Sequence, residues 1–236
     1  MRSFKTVYFD IVGFCNAKCP YCHSGINTIG GGSKITVEKF NNTLVKLRDE
    51  RVINRRTVIS LYSWGEPFLH PEIHNIINGI NELDLKYAVS TNASRVPCID
   101  RNFVKNLDQI VFSMPGFSQE SYSKIHGLNF QDILRNIVKI VEDCRTFDFK
   151  GNFVISYHVY KFNVTEIKKC ELFANDNGII FRPYYAILNH WWILQDFINK
   201  RLPKDESARI SEDLFNSEDI ERKMSESPKK LLMSSI

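Results

Sequence analysis

Three cysteines lie within eight residues of one another, as Cys15, Cys19 and Cys22 in the run FCNAKCPYC, directly after an apolar segment with a strand-like pattern. A structural zinc site closes with four ligands, and an electron-carrying iron–sulfur cluster usually has four cysteines. This trio supplies only three thiolates. The spacing therefore indicates a metal centre with one coordination position open for chemistry.

A structural zinc held by the three cysteines and His23 is the main alternative, because thiolates and imidazole are its usual ligands. His23 directly follows Cys22, which makes ligation by both awkward, and no second ligand pair at zinc-finger spacing follows. Disulfides are less favoured. The N-terminal run MRSFKTVYFD lacks the apolar segment of a secretory signal, so we expect a reducing, cytoplasmic location.

Composition sets few further limits. A chain of 236 residues with 43% hydrophobic and 25% charged residues is typical of one main globular domain. The net charge of +4 comes from scattered lysines and arginines, which does not indicate nucleic-acid binding. No apolar stretch approaches the ~20 residues needed to span a bilayer, so we expect no membrane association.

Runs of β-branched and aromatic residues alternate with stretches of helical periodicity, which predicts repeated βα units around a parallel sheet. The fold class is therefore α/β. Strands are predicted at residues 6–12, 57–62, 86–90, 109–113, 152–157 and 179–182. Helices are predicted at residues 36–50, 70–83, 100–106, 130–144 and 164–176.

The cysteine spacing, with Tyr21 directly before the last cysteine, resembles the signature of the radical S-adenosylmethionine (radical SAM) superfamily. The resemblance implies that Cys15, Cys19 and Cys22 bind three irons of a [4Fe–4S] cluster. The amino and carboxylate groups of SAM would chelate the fourth iron, and Tyr21 would lie along its adenine. It also implies a partial (β/α)6 TIM-like barrel, in which function sits at the C-terminal ends of the strands.

Further motifs resemble the same family at three later strand ends. Gly65 and Glu66, in SWGEP, resemble part of its Gly-Gly-Glu motif, which implies contact with the amino group of SAM. Ser90 and Asn92 resemble the Ser-Thr-Asn segment that reaches the ribose and methionine portions. Ser113 resembles a serine that contacts the SAM carboxylate.

The resemblance implies that an external donor, such as flavodoxin or ferredoxin, reduces the cluster. SAM would then be cleaved to methionine and a 5′-deoxyadenosyl radical that abstracts hydrogen from a peptide, a protein or a small molecule. A protein that binds the cluster and SAM without turnover, as a regulator or partner, is the alternative function.

The run FSMPGFSQESYSKIHGLNFQDILRNI, with Asn163 after strand five, resembles the branch of the superfamily that carries SPASM or twitch domains. No cysteine follows Cys170, so no auxiliary cluster can be built from cysteines in the C-terminal part of the printed sequence. We expect either a short enzyme or a chain that stops before such a domain. The predicted units are a core at residues 1–183 and a helical or loosely ordered extension at 184–236.

Further cysteines and several aromatic or polar residues near strands five and six are additional candidates for functional roles. Cys144 and Cys170 fall in predicted helices, which favours burial over catalysis, whereas Cys98 lies in a loop on the predicted active face. Trp191 and Trp192 are expected to pack the terminal segment against the barrel. Polar and aromatic residues at strands five and six could orient a substrate or simply form the rim of a pocket: His158, Tyr160, Arg182, Tyr184 and Tyr185.

Overall fold

Six parallel strands form one sheet, and their order across the sheet is their order along the chain. The computed structural model describes residues 3–26, 32–216 and 218–219. A parallel neighbour can be reached only by a crossover connection, and helices supply most of these crossovers. The α/β fold with six parallel strands is thus confirmed and is consistent with a partial barrel.

The strands are β1 Thr6–Tyr8, β2 Val58–Ser60, β3 Lys86–Thr91, β4 Leu107–Met114, β5 Asn152–Val159 and β6 Ile180–Tyr185. The helices are α1 His23–Ile26, α2 Val37–Asp49, α3 Ile73–Glu82, α4 Arg101–Val104, α5 Gln119–Ile125, α6 Phe130–Thr146, α7 Ile167–Asp176, α8 Trp191–Ile198 and α9 Lys204–Asp213. Short 3-10 turns occur at Pro67–Leu69 and Lys161–Glu166. Within the described residues, no helix combines the length and apolarity that crossing a membrane requires.

The core lies between the sheet and its helices. The apolar stripe of α3 and that of α6 are both buried, as their helical spacing predicts. Cys144 and Cys170 are fully buried within this core, which confirms their predicted place among apolar side chains.

Strand boundaries differ from the predictions at two places that bear on the site. The first strand, predicted at 6–12, ends at Tyr8, and Asp10 beyond it accepts backbone hydrogen bonds from the loop after β2. The last strand, predicted at 179–182, continues through Pro183 to Tyr185. Proline is tolerated there because β6 lies at the edge of the described sheet, where its neighbour is β5.

The C-terminal part contains α8 and α9, and α5 is a further helix that the sequence did not predict. The expectation for the tryptophan pair was wrong. Trp191 and Trp192 are 63% and 69% exposed on α8, because the opposite side of that helix, with Ile193 and Leu194, packs inward. The division at residues 183 and 184 stays a prediction.

Asn163 fastens the ends of β4 and β5 together. Its side chain is fully buried, and its Nδ2 donates to the carbonyl oxygens of Pro115, at 2.7 Å, and His158, at 2.9 Å. Its Oδ1 accepts from the Tyr160 backbone N–H at 2.9 Å. One amide thus satisfies three backbone groups at the edge of the sheet where strand ends converge.

We expect Asn163→Ala to lower the free energy of unfolding by about 2–4 kcal/mol, because it leaves these buried backbone groups without their partner. Equilibrium urea unfolding followed by circular dichroism measures the change. The matched control is Asn199→Ala, which should cost less than about 0.5 kcal/mol because its exposed amide, in the part of the chain that the structure describes, bonds only the Gln195 carbonyl. Equal losses in both variants would contradict this role.

Candidate functional site

A cavity of about 490 Å³ opens at the C-terminal edge of the sheet. Its volume lies within the range of small-molecule sites, roughly 300–1,000 Å³. The structure brings all nine residues predicted for the cluster and for SAM to its wall: Cys15, Cys19, Tyr21, Cys22, Gly65, Glu66, Ser90, Asn92 and Ser113. Residues from distant parts of the chain therefore meet in one place, and their individual roles remain predictions.

The three cysteines of the loop after β1 are free thiols that face this cavity. The Ala17 backbone N–H donates to the Cys15 Sγ at 3.4 Å, and the Asn92 Nδ2 lies 3.6 Å from the same sulfur. Burial raises the pKa of the Cys15 thiol to about 11 and also raises that of Cys19. Both are therefore thiols until a bound metal displaces their protons.

Within the described residues, no three histidine, cysteine or acidic side chains converge closely enough to hold a single metal ion. A cluster requires no such convergence, because each thiolate binds a different iron. Which kind of metal centre the three cysteines hold stays a prediction. The His23 ring lies beside those of His190 and Trp64, at centroid distances of 4.7 and 5.7 Å.

The loop after β2 is fixed by Asp10. Its Oδ1 accepts the backbone N–H groups of Trp64, at 2.7 Å, and Gly65, at 2.9 Å. A Cβ on Gly65 would lie 2.1 Å from the Val12 carbonyl oxygen, so this position requires glycine. Trp64 is not among the residues with positive φ, which explains why a bulky side chain is accepted where the family motif has glycine.

Glu66 joins the loop after β2 to the end of β3. Its buried carboxylate accepts from the Phe68 backbone N–H at 3.2 Å, the Thr91 Oγ1 at 2.7 Å and the Asn92 backbone N–H at 2.7 Å. Burial raises its pKa to about 7, although these hydrogen bonds act in the opposite direction. A carboxylate offers about four acceptor positions, so it keeps capacity for a further donor such as an ammonium group.

Strand register places polar side chains in rows across the cavity wall. Ser113 of β4 pairs with Ser156 of β5, which pairs with Arg182 of β6. His158 pairs with Tyr184 in the next row, and their ring centroids lie 4.7 Å apart. All five line the cavity.

Other lining residues were missed by sequence reasoning. Ser156 shares the two-residue period of its neighbours and could have been found on that basis. His126 follows α5, the helix that was not predicted. Asn189 reaches the cavity because it forms an isolated β-bridge with Cys22, far away in the sequence. Tyr185, which was grouped with the candidates, packs instead on Phe215.

His126 is an uncharged polar group in the wall. Its side chain is buried, and its Nδ1 has no hydrogen-bond partner among the described residues. Burial lowers the pKa of His126 to about 3 and that of His158 to about 4. Both imidazoles are therefore neutral at pH 7, and a buried polar atom without a partner is a feature that a bound ligand could satisfy.

Residues after β6 contact the cysteine loop through hydrogen bonds. The Tyr21 hydroxyl donates to the buried Asp213 of α9 at 2.5 Å, and Lys124 also pairs with that carboxylate. The Asn189 backbone N–H donates to the Tyr21 carbonyl at 2.8 Å, and the Asn189 carbonyl accepts from the His23 backbone N–H at 3.2 Å. The Tyr21 ring thus lines the cavity while its hydroxyl is used to anchor the loop.

A family model for the radical SAM superfamily matches residues 10–170, which is more than half of the chain. The chain belongs to the radical SAM superfamily. The resemblance drawn from its motifs is thereby confirmed, and membership implies a [4Fe–4S] cluster and SAM as cofactors.

The curated relatives include proteins named as probable GTP 3′,8-cyclases. The one from Methanococcus aeolicus is 26% identical over 146 residues, covering 60% of this chain and 47% of that protein. The one from Thermoplasma volcanium is 23% identical over 194 residues, covering 81% of this chain and 57% of that protein. This radical SAM chain therefore spans about half the length of these relatives.

Solved structures of similar fold include SuiB of Streptococcus suis bound to S-adenosylmethionine, with a TM-score of 0.59 and 16% identity. That match covers 84% of this chain and 48% of SuiB. anSMEcpe with bound AdoMet gives a TM-score of 0.57 at 15% identity, over 77% of this chain and 51% of that one. Both belong to the SPASM/twitch-type branch, so the predicted likeness to the core of that branch is confirmed in its fold.

We expect Tyr21→Phe to loosen the cysteine loop and α9 together, because the lost hydrogen bond is to a buried carboxylate. The expected cost is about 1–3 kcal/mol in the free energy of unfolding. Hydrogen exchange measured by mass spectrometry should show faster exchange in both residues 14–26 and residues 204–213. Tyr8→Phe, which alters a 60% exposed side chain on β1, is the control. Faster exchange in only one of the two segments would contradict the coupling.

The neutral state of His126 gives a pH dependence with a definite sign. Its folded pKa lies below its unfolded value of about 6.5, so the unfolded chain binds more protons as the pH falls and folding becomes less favourable. Between pH 7 and pH 5, wild type should lose about 2 kcal/mol more stability than His126→Gln, which cannot titrate. Urea unfolding of the cluster-free protein at both pH values measures this difference, and equal losses would show that His126 is not buried as a neutral group.

Proposed function

We propose that this radical SAM protein binds a [4Fe–4S] cluster through Cys15, Cys19 and Cys22 and cleaves SAM reductively to start a radical reaction on a second substrate. The observation that carries the proposal is that all residues predicted for the two cofactors line one cavity at the C-terminal edge of the sheet. Parallel barrels place their chemistry at this edge.

The residues present suit these groups. Three free thiols on one short loop provide ligands for three irons and leave the fourth open. The Gly65 position admits no side chain because a Cβ would meet the Val12 carbonyl oxygen, so glycine keeps the loop after β2 close to the segment that leads to the cysteines. Glu66 can accept from the ammonium of SAM, and the hydroxyls and amide of Ser90, Asn92 and Ser113 suit a sugar diol and a carboxylate.

When bound and reduced by one electron, the cluster supplies that electron to SAM, whose products are methionine and a 5′-deoxyadenosyl radical that takes a hydrogen atom from the substrate. The protein's residues orient and isolate this chemistry. Glu66 and Asp10 hold the loops after β2 and β3 in fixed positions. Tyr21, fixed by Asp213, closes the cysteine loop against the C-terminal helices.

An external one-electron donor such as flavodoxin or ferredoxin completes this scheme. The second substrate is a peptide, a protein or a small molecule. The names of the curated relatives make GTP the first small molecule to test, and the SuiB structure bound to precursor peptide SuiA makes a peptide the other class. The described cavity is the place where either class would meet SAM.

The test is production of 5′-deoxyadenosine from SAM by the anaerobically reconstituted, dithionite-reduced protein. Wild type and Cys98→Ala should produce it, because Cys98 is an exposed cysteine outside the cavity. Cys19→Ala should reduce production by at least about 100-fold, since removing a cluster ligand removes the electron source. This pair of variants separates loss of a cluster ligand from loss of any cysteine.

Equal production by wild type and Cys19→Ala would overturn the proposed function. A wild-type protein that binds both the cluster and SAM, yet makes no deoxyadenosine with or without GTP, would favour the alternative function as a binding or regulatory protein. Iron and sulfide contents are measured on each sample so that a failed reconstitution is recognised before activity is compared.

A further inference from the structure

Arg182 brings a positive charge to the cavity that no described carboxylate balances. It lines the cavity from β6, and none of the ion pairs within the described residues includes it. Glu66 is the only acidic residue among the described side chains of the wall, and its carboxylate is bonded to Phe68, Thr91 and Asn92. The guanidinium is therefore available to a ligand.

The strand register separates Arg182 from three of the residues predicted to bind SAM, which are Gly65, Glu66 and Ser113. Ser113 pairs with Ser156, which pairs with Arg182, so Arg182 lies two strands away from Ser113. Neighbouring strands are about 4.8 Å apart, which puts the two backbones about 10 Å from each other. Gly65 and Glu66 follow β2, farther across the sheet. Arg182 is therefore separated from Gly65, Glu66 and Ser113. Tyr21 reaches the C-terminal end of the β5 side, where its ring lies 6.0 Å from that of Tyr160.

The groups beside Arg182 are uncharged. Ser156 and Tyr184 line the cavity beside it, and the His158 ring lies against the Tyr184 ring. Burial keeps His158 neutral at pH 7 by lowering its pKa. Arg182 is exposed, and no ion pair within the described residues involves its guanidinium. The planar fork of a guanidinium matches a carboxylate or a phosphate through two parallel hydrogen bonds.

We propose that Arg182 binds an anionic oxygen group of the second substrate, a carboxylate or a phosphate, on the β5–β6 side of the cavity. This inference rests on the proposed function, in which Gly65, Glu66 and Ser113, at β2 and β4, contact SAM. It assigns Arg182 as a specificity-determining residue: a substrate that lacks an anion at this position would bind less tightly.

The experiment is calorimetric titration of the reconstituted protein with two probes, inorganic pyrophosphate and malonate, each with and without saturating SAM. The variants are Arg182→Gln, Arg182→Lys and Arg135→Gln, the last removing an exposed arginine of α6 that pairs with Asp132 outside the cavity. Affinity for SAM is measured separately for every variant.

The proposal expects at least one probe to bind wild type saturably. Arg182→Gln should weaken that binding at least about tenfold, Arg182→Lys less, and Arg135→Gln less than about twofold, because only Arg182→Gln removes the charge that assists hydrogen bonds to the anion. Affinity for SAM should change less than about twofold in Arg182→Gln. Preference for pyrophosphate would identify a phosphate-bearing substrate, and preference for malonate a carboxylate.

Three results would overturn the assignment. The first is that neither probe binds wild type, and the second is that the probes bind Arg182→Gln as tightly as wild type. The third is that Arg182→Gln weakens SAM binding as strongly as it weakens probe binding. The last result would place Arg182 in the SAM site. Failure of the proposed function is read independently, from wild-type SAM binding and deoxyadenosine production in the absence of any probe.

Discussion

Parallel alignment of the six strands is the constraint on which the site depends. Because every strand runs the same way, every C-terminal end reaches one edge, and loops far apart in sequence must meet there. The cysteine loop follows β1, the Gly-Glu loop follows β2 and Asn92 follows β3. Ser113 is the second-to-last residue of β4. The fold thus assembles a cavity without requiring any of these residues to be neighbours in the chain.

Side-chain hydrogen bonds between neighbouring loops convert this proximity into a fixed geometry. Asp10 binds two backbone N–H groups of the loop after β2, and Glu66 binds the end of β3. Asn163 binds the ends of β4 and β5, and Asp213 binds Tyr21 of the cysteine loop. Asp10, Glu66 and Asp213 accept from backbone or hydroxyl donors, whereas the Asn163 amide donates to two backbone carbonyls, so the loops keep their positions before any ligand is bound.

Sequence reasoning located the strands and the lining residues well because those features are local. Alternating or β-branched runs identify strands, and Cys15, Cys19 and Cys22 form a pattern within eight residues. Contacts between distant segments gave no such signal. The bond from Tyr21 to Asp213 joins residues 192 positions apart, and His126 enters the cavity only because α5 turns the chain back towards Lys18. Trp191 and Trp192 were misjudged because their hydrophobicity does not reveal which side of α8 faces the protein.

The central claim is that three cysteines hold a cluster whose remaining iron is open to SAM. Electron paramagnetic resonance of the reduced, reconstituted protein tests it most directly, recorded before and after addition of SAM. The account predicts a [4Fe–4S]⁺ signal whose g values shift when SAM is added, and loss of this response in Cys19→Ala. A spectrum of the wild-type cluster that SAM leaves unchanged would contradict the account.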